Sequence, residues 1–255
     1  MQAEYRKELS LSAVYLDRTC HLGLYHAGLL MQDAMTELFY QYGCDAVRMS
    51  RSHGAVWAVA RTKFRFVQRP FWLDSVVIRA YPIKITPVTV HVEMAVETPE
   101  GTPLLWGKQE LCALDVTDHS LRRIDSTSFP KDVSPLPSAF PAPYRRMRFQ
   151  LEEDAFRHTV RATDTDMNGH MNNAASLRLA EDAFSSQFWA VHPVSGLDIH
   201  YVSEGMEGHT LTVCRGETAE GVAVQVKDGE HTVIRVFFLS DTEKEDCILP
   251  ESPVN

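Results

Sequence analysis

The chain has 255 residues, of which 44% are hydrophobic and 23% charged, and its net charge at pH 7 is -9. That length suits one large domain or two small ones, and the composition is that of an ordinary globular chain. The acidic balance argues against nucleic acid as a partner, and no apolar run has the length of a transmembrane helix.

The opening residues, Met1-Gln2-Ala3-Glu4-Tyr5-Arg6-Lys7-Glu8, are charged and lack an apolar signal region. The expectation is a cytoplasmic protein that does not engage a membrane. The cysteines are Cys20, Cys44, Cys112, Cys214 and Cys247. Their odd count and the lack of CxxC spacing argue against a disulfide framework and against a zinc site. Most are read as small buried apolar groups, and no metal or cofactor is expected.

Taken in chain order, Val14-Tyr15-Leu16-Asp17 reads as a strand leading into a helix. The helix is predicted from about Tyr25 to Tyr42, because Ala27, Leu30, Met31, Ala34, Met35, Leu38 and Phe39 recur at helical spacing. Gly43 is a plausible stop. Gly54 to Phe66 and Ser75 to Tyr81 read as strands. Val88, Val90, Val92, Met94 and Val96 alternate with more polar neighbours, the pattern of a half-buried strand. Pro99-Glu100-Gly101 turns the chain, and Leu104 to Val116 returns.

Between Ser126 and Pro143 the residues Pro130, Pro135, Pro137, Pro141 and Pro143 crowd together without periodic pattern. Proline fixes φ and removes a donor, so this stretch reads as a linker. The expected division is a first unit over 1–125, a linker over 126–146 and a second unit over 147–255.

The second unit repeats the plan of the first. Val160 to Thr163 leads into a helix expected from about Asn173 to Trp189, with Leu177, Ala180, Ala183, Phe184 and Phe188 on its buried stripe. Strands follow at Leu197–Ser203, Thr210–Glu217, Val222–Lys227 and Thr232–Ser240, with Asp228-Gly229 as a hairpin turn. The fold class is therefore α+β, two tandem units, each an antiparallel sheet wrapped around one long helix.

Ahead of the second helix stands Asp164-Thr165-Asp166-Met167-Asn168-Gly169-His170-Met171-Asn172-Asn173. Asp, Asn and Gly are common turn and cap formers, and that reading suffices for Asn172 and Asn173. A cap needs one such residue, however, and Asp166, Asn168 and His170 together read as chemistry. Asp and His can move protons, and Asn with backbone N–H groups can hold a developing oxyanion. Aligned on the leading strands, with Asp17 opposite Thr163, the first unit continues as Arg18-Thr19-Cys20-His21-Leu22-Gly23-Leu24-Tyr25. That run does not reproduce the cluster, so one working site is expected, in the second unit. The first unit is then free to shape an apolar pocket.

These residues resemble the acyl-ACP thioesterases of plants and bacteria, which carry two tandem hotdog domains. The resemblance rests on Asp-x-Asn-x-His-x-Asn-Asn at the second helix, on Val56-Trp57-Ala58-Val59 with Arg69-Pro70, Trp72 and Asp74, on Leu121-Arg122-Arg123-Ile124, and on His200-Tyr201-Val202-Ser203-Glu204-Gly205. It implies Asp166, Asn168, His170 and Glu204 as the catalytic set. Plant members usually carry a cysteine directly after the glutamate. Gly205 stands there in this chain, which excludes a cysteine nucleophile at that position.

The implied reaction is hydrolysis of a fatty acyl-ACP thioester. No Gly-x-Ser-x-Gly elbow supports a serine triad. Asp166 is assigned as general base, or as a direct nucleophile through an anhydride. Asn168 would position water or carbonyl, His170 would assist proton transfer, and Glu204 would hold His170 or the water. Backbone donors near Gly169 and Met171 would face the carbonyl oxygen. Met31, Met35 and Trp57 are candidate acyl-binding residues, as readily plain core. His200 and His209 read as ordinary. Arg122 and Arg123, with Arg145, Arg146 and Arg148, are a candidate dock for an acyl carrier protein or its phosphopantetheine phosphate. Alternatives are an acyl-CoA thioesterase, a hydratase or dehydratase, and a non-catalytic acyl-binding module. Either a monomer or a homodimer is compatible with the chain.

Overall fold

A computed structural model describes residues 4–240, so Cys247 lies outside the described residues. In chain order the elements are β1 (Tyr5–Ser10), α1 (Leu24–Gln41), α2 (Ala46–His53), β2 (Ala55–Phe66), β3 (Ser75–Ile85), β4 (Thr89–Glu97), β5 (Pro103–Asp115), β6 (Leu121–Arg122), β7 (Asp154–Thr159), α3 (Asn173–Glu181), α4 (Ser186–Val191), β8 (Val194–Tyr201), β9 (Thr210–Thr218), β10 (Gly221–Asp228) and β11 (His231–Ser240). The strands form one antiparallel sheet in the order β1-β3-β4-β5-β2-β8-β11-β10-β9-β7, with β6 paired to β5. The two halves join at β2 and β8, which pair from Arg61 opposite His200 to Arg65 opposite Gly196.

Alternation decides which way each strand faces. Val90, Val92, Met94 and Val96 of β4 point to the helices and are buried with Ala27, Leu30, Met31, Ala34 and Leu38 of α1. In the second half Leu177, Leu179 and Ala180 of α3 pack with Leu197, Ile199, Val224, Val226 and Phe238 in the same continuous core. The helices touch where Gly28 of α1 lets Leu177 approach: a β-carbon on Gly28 would lie 2.6 Å from Leu177 Cδ2.

Three local expectations change. The second helix is not continuous to Trp189. It ends at Glu181, and α4 starts afresh after Ser185, whose side chain accepts from Phe188 N at 3.1 Å as an N-cap. A short helix, α2, fills the gap before β2, capped by Asp45 at its start and by Gly54 at φ +56 at its end. The residues read as leading strands, Val14–Asp17 and Val160–Thr163, lie at or around 3-10 turns over Ala13–Tyr15 and Ala162–Asp164. The strands themselves are β1 and β7, one turn upstream.

The proline-rich stretch carries no helix or strand from Thr127 to Glu153, yet it is not a loose tether. It lies as a strap over the sheet face opposite the helices. Phe140 packs on Ala95 and Trp106, and Met147 packs on Ala223, Phe237 and Leu239. Its polar groups serve charges buried on that face. Glu93 accepts from Ser138 Oγ and from the Ala139 and Phe140 amides. Lys63 donates to Pro143 O at 2.9 Å, and Asp198 accepts from Arg145 N at 3.1 Å. Proline-rich chain has few donors to hydrogen-bond to itself, so it can present its carbonyls to such groups.

Candidate active site

The Asp166–His170 turn is closed by its own backbone. Asp166 N donates to His170 O at 2.9 Å, and Gly169 N donates to Asp166 O at 3.0 Å. Asp166 Oδ1 accepts from Asn168 N at 2.8 Å, and Gly169 takes φ +79, a conformation that suits glycine. The turn is anchored from below by Asp164, whose carboxyl accepts from His158 at 2.8 Å, Arg161 N at 3.0 Å and Arg178 at 2.5 Å. Burial alone would raise the Asp164 pKa. The Arg161 and His158 hydrogen bonds and the Arg178 charge outweigh it and hold the carboxyl below its ordinary value. Sequence reading missed this role; an acid set ahead of Arg178 on the next helix was the available signal. Asn172 is the N-cap of α3, its side chain accepting from Ala175 N at 2.6 Å.

His170 and Glu204 come together from separate elements. His170 bridges to Met206, and Met171 N donates to Gly205 O at 2.8 Å, so the turn is stitched to the segment after β8. His170 Nδ1 then lies 3.1 Å from Glu204 Oε1. A third group arrives from the first half: His119, in the turn between β5 and β6, has Nδ1 at 3.3 Å from Glu204 Oε2. The two imidazole rings stand 5.8 Å apart, edge to face. A β-carbon at Gly205 would meet Met171 at 3.3 Å, a tight fit for any side chain. The backbone donors expected at Gly169 and Met171 are committed to Asp166 O and Gly205 O. The first turn of α3, where Asn173 faces the cavity, is the helix end that remains.

Asp166, Asn168, His170, Glu204 and His119 line a cavity of about 810 Å³. Its other wall comes from the first half: Val56, Trp57, Ala58 and Val59 of β2 and Cys112 and Leu114 of β5. That volume suits an organic ligand of substantial size. Tyr201 also lines it, and burial pushes its phenol pKa up. Trp57 is fixed by a 2.7 Å hydrogen bond from its indole to Cys44 O. Among the described residues no group of three or more His, Cys, Asp or Glu could hold a metal ion.

The first half carries a degenerate copy of this site, in a different register from the one its sequence suggested. The same bonds recur: Asp17 N to His21 O at 2.8 Å, Cys20 N to Asp17 O at 3.1 Å, Thr19 N to Asp17 Oδ1 at 2.8 Å and Leu22 N to Pro70 O at 2.9 Å. Cys20 takes φ +61 where Gly169 takes φ +79. Asp17, Thr19 and His21 therefore stand where Asp166, Asn168 and His170 stand, and Arg69 takes the place of Glu204. Arg69 Nη2 pairs with Asp17 Oδ2 at 2.7 Å, so the acid of this copy is neutralised by the residue that replaces Glu204. Aligning the two helix starts, Leu24 and Asn173, gives this register. The strand-like residues upstream mislead because they lie in 3-10 turns. A cavity of about 260 Å³ adjoins the copy, lined by Asp17, Arg69, Leu24, Trp189 and Glu181. Burial pushes the Glu181 pKa up to about 7, although its carboxyl accepts from Tyr25 N at 3.0 Å.

The remaining sequence candidates disperse. Met31 and Met35 are buried in the core and are not among the residues lining the cavity. Arg122 pairs with Asp115 at 2.6 Å, Arg123 with Asp125 at 2.7 Å and Arg145 with Glu220 at 2.6 Å. Arg146 and Arg148 are exposed. His209 pairs with Asp228 at 2.6 Å, and His200 is a strand residue whose pKa burial lowers. Among the described cysteines Cys20, Cys44, Cys112 and Cys214 are free, and only Cys20 is exposed.

Residues 150–238 match the family described as the acyl-ACP thioesterase C-terminal domain, a span that holds Asp166, Asn168, His170 and Glu204. No curated protein matches the chain significantly by sequence. The fold is shared with an acyl-ACP thioesterase from Bacteroides thetaiotaomicron, at 15% identity and TM-score 0.84, over 94% of this chain and 98% of that one. It is shared too with the 12:0-ACP thioesterase of Umbellularia californica, at 14% identity and TM-score 0.80, over 94% and 98%. This is the double hotdog expected from the sequence, and no described helix is long and apolar enough to cross a membrane. The chain thus carries a stretch similar to the acyl-ACP thioesterase C-terminal domain over residues 150–238, within a fold shared with acyl-ACP thioesterases.

Proposed function

We propose that this protein hydrolyses the thioester of a fatty acyl-ACP, releasing free fatty acid and the carrier thiol. The observation that carries the proposal is the pairing of Glu204 with His170 at a cavity whose opposite wall is apolar strand from the first half. The acyl chain would lie along Val56, Trp57, Val59 and Leu114, with the thioester carbonyl among Asp166, Asn168 and His170. Water, losing its proton to the Asp166 carboxylate, adds to the carbonyl carbon, and the carbonyl electron pair moves onto oxygen. Asn168 and the first turn of α3 are suited to stabilise that oxyanion. Its collapse breaks the carbon–sulfur bond, and the thiolate leaves. Glu204 would hold His170 so that the imidazole can relay the proton to the departing sulfur.

The same chemistry on acyl-CoA is the second reading. It is favoured by the pairing of Arg122, Arg123 and Arg145 with carboxylates, which leaves less positive charge for an acidic carrier. Purified protein incubated with acyl-ACPs of graded length, and with the matching acyl-CoAs, decides between them through release of free thiol. Faster release from the carrier protein supports the proposal, release from CoA alone supports the second reading, and release from neither removes both.

A further inference from the structure

We propose that His119, supplied by the first half, is a positioning residue of the site, holding Glu204 at the carboxylate oxygen that His170 does not face. The inference rests on the thioesterase reading and deepens it. The backbone is the first support. The β5–β6 turn is built by Thr117 N to Asp115 Oδ1 at 2.8 Å, Ser120 N to Asp118 Oδ1 at 2.9 Å, His119 N to Asp115 O at 3.1 Å and Asp115 N to Ser120 O at 2.9 Å. His119 sits in it at φ +56. Glycine occupies that conformation without strain, and a ring-bearing residue does so at a cost. The turn itself does not require an imidazole.

The imidazole has a destination instead. Its Nδ1 lies 3.3 Å from Glu204 Oε2 while His170 Nδ1 lies 3.1 Å from Oε1, so each carboxylate oxygen faces one ring. Glu204 sits on an irregular segment after β8, with its side chain 40% exposed, and a single contact would leave it free to rotate. Two rings from two halves of the chain flank its two oxygens and restrict its rotation. A carboxylate so fixed sets which His170 nitrogen carries the proton and where the other nitrogen points. His119 also lines the cavity, so the pair closes the site across the junction between the halves. The arrangement accounts for a site that belongs to the second half but cannot be completed by it.

The test uses His119→Gly, which keeps the turn because glycine accepts the left-handed conformation. The expected result is a fall in kcat of about tenfold or more with little change in KM, the scale typical of lost outer-shell partners. The melting temperature should be unchanged or higher. Added imidazole should restore part of the rate, and in a Glu204→Gln background the same substitution should cost little more. The ring nitrogen NMR signals of His170 should shift in His119→Gly whether or not any thioester is turned over. Wild-type kcat in His119→Gly, an undiminished further loss in the Glu204→Gln background, or unmoved His170 signals would each overturn the proposal. A wild-type protein that cleaves no thioester, but whose His170 signals respond to His119→Gly, would sink the thioesterase reading and leave the clamp standing.

Discussion

Replacing Asp198 with asparagine keeps the shape of the side chain but removes its charge and turns one of its two accepting oxygens into a donor, at the seam where β2 meets β8. Asp198 Oδ2 lies 2.7 Å from Arg65 Nη2, and the side chains are 1% and 4% exposed. Arg65 also donates to Phe64 O at 2.8 Å and Leu197 O at 2.9 Å, so the guanidinium is held at the seam whatever stands at 198. The substitution therefore removes the charge that this buried guanidinium meets at 2.7 Å. Two charges at 4 Å attract by about 4 kcal/mol at an effective dielectric of 20, and breaking a buried pair from one side costs about 3–5 kcal/mol. For a chain of this size each kcal/mol moves the melting temperature by about 2–4 °C. Asp198→Asn should thus melt about 6–20 °C below wild type by circular dichroism, with a matching fall in the urea midpoint. The exposed pair Arg123–Asp125 is the control, and Arg123→Gln should not change the melting temperature measurably. A drop of less than about 3 °C in Asp198→Asn would refute the claim that this pair is a desolvated charge lock.

Asp166→Asn should leave melting unchanged, because Asp166 is exposed, and should cut thioester hydrolysis by about 10²–10⁴-fold in a thiol-release assay. Glu181 gives a pH prediction. Its folded pKa of about 7 lies above the ordinary 4.5, so the folded state keeps a proton that the unfolded chain releases. Stability should then fall as pH rises from about 4.5 to about 7 and stay level above it. Glu181→Gln, which preserves an acceptor for Tyr25 N, should flatten that slope and stabilise the protein above pH 7 by up to ~3 kcal/mol in denaturant titrations. Gly196→Ala would drive a β-carbon into Phe64 O and part β2 from β8, and soluble protein with native melting would contradict that packing.

Composition and periodicity were enough to place α1, whose apolar stripe from Ala27 to Phe39 is buried as the spacing requires. They were enough for β2 to β5 and β8 to β11 as well, because two-residue alternation is a local property of a half-buried sheet. The cluster Asp166, Asn168 and His170 was legible because it exceeds what a turn needs. Caps and short turns were less so: the Ser185 cap that breaks the second helix and the 3-10 turns ahead of α1 and α3 carry little periodic signal over three or four residues.

What the sequence by itself determined is therefore the class of fold, its doubling and the half that holds the candidate site. Only the tertiary structure decided which partners those residues meet. His119 and Glu204 are far apart in the chain and become neighbours because β5 and β8 lie on either side of β2 in one sheet. Arg69 neutralises Asp17 for the same kind of reason, and the proline-rich strap finds buried Glu93, Lys63 and Asp198 only once the sheet exists. Secondary structure follows from interactions over a few residues. Ion pairs and cavity walls depend on contacts between distant segments, and those are set by which strands share an edge.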